Sequence, residues 1–174
     1  MRDELQQLPG AGRVSGMNPG LRRSVLRAVR EQFRLEWRGI HGVAHWARVR
    51  LNGLTMARVN GARLDVVELF ALLHDSQRHH DGLDRKHGAR GADFALQLNS
   101  ELLRLDRPGL EMLTYAVRHH SDGLIEADVT VQTCWDADRL DLGRVGILPR
   151  PEKLCTEQAR DPGLLDRAYR RSVR

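Results

Sequence analysis

From Leu21 onward the apolar residues Leu21, Val25, Ala28, Val29 and Phe33 recur three and four positions apart, the spacing of one helix face. This predicts a first helix to about Trp37. Gly39 and Gly42 bracket a break, after which His45, Val49, Gly53, Met56, Ala57 and Val59 describe a second amphipathic helix over roughly 43–60. In "LDVVELFALLHD" the residues Val66, Leu69, Phe70 and Leu73 form one stripe, while Val67, Ala71 and Leu72 cover much of the remaining surface. Such a helix is apolar nearly all round and belongs at the centre of a core, with Asp65 as its expected N-cap.

Residues 76–86 are polar and contain glycine, so the chain is expected to leave the core there as a loop. Helical spacing resumes near Gly88 with Ala89, Ala92, Phe94, Ala95, Leu98, Leu102 and Leu103. Asp106 to Pro108 read as a cap and first turn, because proline loses no helical hydrogen bond there, and the helix that follows runs to His119 and His120. "SDGLIEADVT" reads as a loop. "VQTCWDADRLDLGRVGI", residues 131–147, reads as a helix with Val131, Cys134, Trp135, Leu142 and Val145 as core candidates, ended by "ILPRPEKL". A polar segment near 162–172 gives a last helix. With no alternating strand pattern and no repeat, the fold class expected is an all-α single-domain bundle of about six to eight helices. The domain spans 20–174, after a leader over 1–19 expected to be flexible, since residues 8–20, "LPGAGRVSGMNPG", carry four glycines and two prolines.

Composition changes this picture little. An apolar fraction of 41% with 29% charged residues belongs to an ordinary globular chain, and 5% aromatics fit a core of Leu, Val and Ala. Of the 28 cations behind the net charge of +5, only Lys86 and Lys153 are lysines. Arginine suits phosphate recognition, but no tight basic run resembles a nucleic-acid arm. The two cysteines, Cys134 and Cys155, are too few for a disulfide framework and read as reduced thiols. No stretch approaches the roughly 18 apolar residues of a membrane span, so a cytoplasmic protein is expected.

Chemistry enters where histidine and aspartate collect at the ends of the apolar stripes: His41 and His45, His74 with Asp75, His87, His119 with His120, and Asp136 with Asp138. Imidazole and carboxylate are ligands for divalent metals, and charged groups in apolar surroundings are costly unless paired or metal-bound. Adjacent helical residues point about 100° apart, so His74 and Asp75 serve one site only at a helix end or by bridging. His79 and His80 lie in the polar loop, as solvated residues or part of a lid. Asp136 reads as a helix-start or surface charge, and Asp141 as a surface partner of Arg144 or Arg139.

Three segments, "HGVAHWARV", "ALLHDSQR" and "WDADRLD", resemble the HD superfamily of metal-dependent phosphohydrolases, an all-helical family with an H…HD…D order of ligands. The likeness covers about residues 40–147 and implies His45, His74, Asp75 and Asp138 as metal ligands. "HGARGA" and "RHHSDG" look like the branches with two metals, which implies His87 and His120 as further ligands, Asp75 as the bridge, and His119 as a second ligand or phosphate contact. The resemblance implies one or two divalent ions (Fe, Mn, Zn, Co, Ni or Mg) and hydrolysis of a nucleotide or other small phosphoester by metal-activated water. Asp75 and Asp138 are then the catalytic residues.

Arg78, His41, Lys86, Arg118 and Arg139 are candidate substrate contacts beside those ligands, with most of the arginines expected at the surface. The chain departs from the family in having Ser76, Gln77 and Arg78 after the HD pair, and it lacks the glycine-tyrosine-proline motif of cyclic-dinucleotide phosphodiesterases. A metal-binding regulatory protein of the same fold and a di-iron oxygenase with similar ligands are the alternatives.

Overall fold

In a computed structural model, residues 16–174 are described, and all their regular structure is helical. Asn18 caps α1 (Pro19–Gln32) by accepting from the Gly20 amide at 2.7 Å, and Pro19 opens it. Met17 is buried, so the end of the expected leader packs against the bundle; residues 1–15 lie outside the described part. The first helix stops at Gln32, five residues short of the expected Trp37. There Phe33 and Trp37 turn inward to meet Trp46 edge-on, with ring centres 5.1 and 5.3 Å away.

Helix α2 (Val43–Asn60) ends as its glycine suggests, with Gly61 in the left-handed region at φ 78°. In α3 (Leu64–Leu73) every residue from Val66 to Leu73 is buried, as the all-round apolar pattern predicts. Asp65 is not its cap but sits inside the first turn, where it accepts from the Arg63 guanidinium and the Val66 amide. Helix α4 (His87–Leu98) runs into a wider turn, Asn99–Leu103, that closes at Arg104 with φ 53°. Helix α5 (Arg107–His119) is capped by Asp106, and α6 (Val129–Arg139) by Asp128.

The chain leaves the helical path after Arg139 instead of continuing to 147. A single tight turn, Leu142–Val145, follows, and Val145, expected in the core, is 40% exposed. The short α7 (Glu157–Arg160) and α8 (Pro162–Ser172) close the bundle, the latter with the expected boundaries. Helices α2, α3, α5 and α6 pack around one core, with α4 on α5 and α8 on α2. At Gly53 a side chain would meet Val67 Cγ1 at 2.5 Å and Ala137 Cβ at 3.3 Å, so the missing methyl lets α2, α3 and α6 touch. Among the described residues no helix is long and apolar enough to cross a membrane.

Candidate metal centre

Five helix ends supply the polar residues that the core should exclude. His45 lies in the first turn of α2, His74 caps the end of α3, His87 opens α4, His120 follows the last residue of α5, and Asp138 stands in the last turn of α6. The turn after α3 is closed by the Ser76 amide and hydroxyl, both donating to Leu73 O at 3.1 and 2.7 Å. That turn resolves the angular problem of adjacent ligands, because His74 and Asp75 go to different groups. His45, His74 and Asp138 have donor atoms within 4.8 Å of one another, and so do Asp75, His87 and His120. Asp75 stands between the groups: Oδ2 is 3.6 Å from Nε2 of both His45 and His74, while Oδ1 is 3.3 Å from His87 Nε2 and 3.6 Å from His120 Nε2.

The tautomers follow from the partners of each Nδ1. His74 Nδ1 faces Phe70 O at 3.1 Å, His120 Nδ1 faces Val117 O at 2.8 Å, and His87 Nδ1 faces Asp84 O. His45 Nδ1 faces Asp141 Oδ2 at 2.7 Å. Carbonyl and carboxylate oxygens only accept, so each Nδ1 donates, and in a neutral ring Nε2 carries a bare lone pair. Yet His45 and His74 meet Nε2 to Nε2 at 3.0 Å, and His87 and His120 at 2.9 Å. Lone pairs this close repel unless a proton or metal ion lies between them. Asp138 Oδ1, sealed from solvent, has no hydrogen-bond partner among the described residues. The donor set therefore fits divalent cations, with nitrogen and carboxylate oxygen in the mix that Fe, Mn, Zn or Co accepts.

No protein-family model matches the chain, and no curated protein does. Among solved structures, that of a predicted HD superfamily hydrolase from an uncultured Thermotogales bacterium matches with a TM-score of 0.67 and 29% identity, over 87% of this chain and 86% of that one. The chain is an HD-domain protein.

Electrostatics in this HD domain follow from burial opposed by close neighbours. Burial pushes the His74 imidazole down to about 3 and, with the neighbouring His120, also lowers His87. It lowers His45 and His120 too, but Asp138 and Asp141 outweigh it at His45 and Asp75 outweighs it at His120, so both are raised. One imidazole up and its partner down in each pair is the pattern of a single shared proton. Burial would raise the Asp75 and Asp138 carboxyls, but the surrounding imidazoles, joined at Asp138 by Arg144, hold both well below the usual range.

Two acidic residues that read as surface charges prove fully buried. Asp141 receives His45 Nδ1 and is gripped by the Arg48 guanidinium at 2.6 and 3.1 Å. It fixes the His45 ring, the usual part of a carboxylate behind a metal-binding imidazole. Asp136 accepts the Cys155 and Thr156 amides and the Thr156 hydroxyl, all at 2.8 Å, and pins the segment before α7 to α6. The "DADRLD" spacing held a signal for both: Asp136 and Asp138 stand two apart on a helix with a buried face, and Asp141 follows at i+3.

Among the remaining expected site residues, His41 and Arg78 stay near the centre. His41 is buried, bonds Asp81 at 2.8 Å, and is lowered by burial against the pull of Asp81 and Asp75. Arg78 Nε is 3.8 Å from Asp75 Oδ1. The others are not brought there. His119 turns to Asp122 at 2.7 Å and lies against Tyr115, Arg118 pairs with Asp93, and Arg139 donates to Leu124 O and Lys153 O. Lys86, His79 and His80 are exposed. The residue that sequence reasoning missed is Arg144, whose Nη2 lies 3.8 Å from Asp138 Oδ1. A basic residue six positions after a ligand, past a helix end, gives no periodic signal.

Proposed function

We propose that this HD-domain protein is a metal-dependent phosphohydrolase acting on a nucleotide or another small phosphoester. The observation that carries the reading is the pair of His/Asp groups with one oxygen of Asp75 turned to each, and four imidazoles whose lone pairs converge. His45, His74 and Asp138 would hold one cation, and His87 and His120 a second, with Asp75 shared. Divalent ions, when bound, acidify water and offset negative charge on phosphoryl oxygens.

The protein's own groups have separable parts in this reaction. Asp141, Phe70 O, Asp84 O and Val117 O hold the four rings so that only Nε2 faces inward. Asp138, at 14% exposure the most accessible of these ligands, would lie on the side open to substrate. The depressed pKa suits Asp138 to serving as an ionised ligand rather than to storing a proton. His41 and Arg78 lie where they can meet the substrate.

The test is metal analysis of the purified protein, followed by a phosphatase and phosphodiesterase screen with Mn, Fe, Co, Ni and Mg. The expected result is bound transition metal and turnover of at least one phosphoester, lost in His74→Ala. A metal-free protein, or turnover indifferent to His74→Ala, sinks the reading.

A further inference from the structure

Arg144 and Arg78 meet carboxylates only at the long edge of ion-pair distance, 3.8–3.9 Å, with no hydrogen bond to any of them. The Arg144 side chain is only 8% exposed, and its Nε and Nη1 donate to Ile40 O at 2.9 Å and Asp141 O at 3.1 Å, which fixes the guanidinium plane. Its Nη2 makes no hydrogen bond among the described residues and lies 3.8 Å from Asp138 Oδ1. The other acid near it, Asp141, is already taken by Arg48 and His45. Arg78, 11% exposed, has a buried Nε with no hydrogen-bond partner, 3.8 Å from Asp75 Oδ1. The nearby Asp84 is held by Arg90 at 2.5 Å, and Asp81 by His41. Thus one arginine stands over a carboxylate of each His/Asp group, Arg144 pinned by two carbonyls and Arg78 by a single long bond to Gly82 O, and each is short of a charged acceptor.

Nearly buried guanidinium donors are costly when unpaired, and they form their strongest bonds with carboxylate or phosphate oxygens. Among the described residues the carboxylates near these guanidiniums are Asp75 and Asp138, which would be committed to cations, and Asp141, which Arg48 and His45 already occupy. An anion from outside must complete the set. We propose that Arg144 and Arg78 clamp the non-bridging oxygens of a dianionic phosphoryl group, so that the protein prefers phosphomonoesters to phosphodiesters. The proposal rests on the phosphohydrolase reading. The charges of the two carboxylates and the two guanidiniums cancel, so bound divalent ions leave the centre strongly positive, and a dianion offsets more of that charge than a monoanionic diester does. A monoester also presents three terminal oxygens to two arginines and the metals, where a diester has two.

The experiment uses the full chain loaded with Mn²⁺, and compares it with Arg144→Gln and Arg78→Gln. It measures metal per chain, the rise in melting temperature on adding inorganic phosphate, and kcat/KM for p-nitrophenyl phosphate and bis-p-nitrophenyl phosphate. The expected result is full metal content in both variants, a phosphate-induced rise at least halved, and a monoester-to-diester ratio lowered at least tenfold. Arg144→Lys should recover part of the phosphate response, since it returns the charge without the fork. A wild type that phosphate does not stabilise, variants that respond as wild type does, an unchanged ester ratio, or metal loss in the variants overturns the proposal. If Arg144→Gln does not fold, Arg78→Gln decides alone, because its guanidinium makes a single long hydrogen bond to Gly82 O, at 3.5 Å. If the wild type turns over neither ester, the wider phosphoester screen decides on the phosphohydrolase reading, and the phosphate response decides on the clamp.

Discussion

Two polar clusters on the same buried helix differ in how complete they are. Glu68, in the middle of α3 and 1% exposed, accepts from the Met17 amide, Arg22 and Arg50, so its charge is answered from within the chain. Six residues later the helix reaches His74 and Asp75, where the neighbours are three more imidazoles and a second carboxylate, and the inward nitrogens have only each other. Both clusters carry the cost of burying polar groups. The first offsets that cost with its own arginines and ties α1 and α2 to α3. The second finds no such answer among the described residues, and divalent cations would supply one. Burial alone does not mark a functional site; an unanswered donor set does.

The largest test of this contrast is to remove one acid from each cluster. Asp75→Ala should empty the centre of metal while leaving the fold intact, and Glu68→Ala should keep the metal but lower unfolding stability by about 2 kcal/mol, since it leaves the buried Met17 amide without an acceptor and the partly exposed Arg22 and Arg50 unpaired. Metal content and denaturant unfolding of the two variants decide it; the reverse pattern would refute the contrast. Next in size is Asp141→Asn, which leaves Arg48 facing an amide and weakens the hold on His45. Metal affinity should fall about 10–100-fold, as for other carboxylates behind metal-binding imidazoles, read by competition with a chromophoric chelator.

A smaller effect is expected from pH. Since His45 and His120 are raised, each pair holds its proton below that raised value and releases it as pH climbs through it. Metal must displace that proton, so affinity should rise with pH through and above the ordinary imidazole value of about 6.5 and then level off. Calorimetry in buffers of different ionisation enthalpy would count the protons released, and a pH-independent affinity would contradict the shared-proton picture. The smallest effect is His119→Ala: its ring faces Asp122 and Tyr115, so metal content should not change and stability should shift by less than about 0.5 kcal/mol.

How much of this was legible in the sequence depended on range. The residues that gather at the centre were readable as a set and not singly, because they collect at the ends of several apolar stripes and the HD resemblance implied their order. The boundaries of α2 and α8 were also readable, set by Gly61 and by Pro162 after the capping Asp161. The path after Arg139 was not. Leu140, Leu142 and Val145 imitate helical spacing, but the chain turns there and Asp141 comes to rest beneath His45, a contact 96 residues apart. Arg144 was illegible for the same reason, since its anchor, Ile40 O, lies 104 residues away. Local pattern locates helices and ligands; pairs between distant segments appear only once the chain is folded.

The bare α-carbon of Gly53 has a consequence for tolerance at a distance. It lies eight residues beyond His45, about 12 Å along α2 at 1.5 Å per residue, and it touches the helix bearing His74 and the residue just before Asp138. This crossing acts as a fulcrum for three ligand-bearing arms. A single methyl there would wedge the arms apart, and donor separations near 3 Å leave little room for such a swing. The accuracy of the centre is thus set partly by a hydrogen atom two helical turns away.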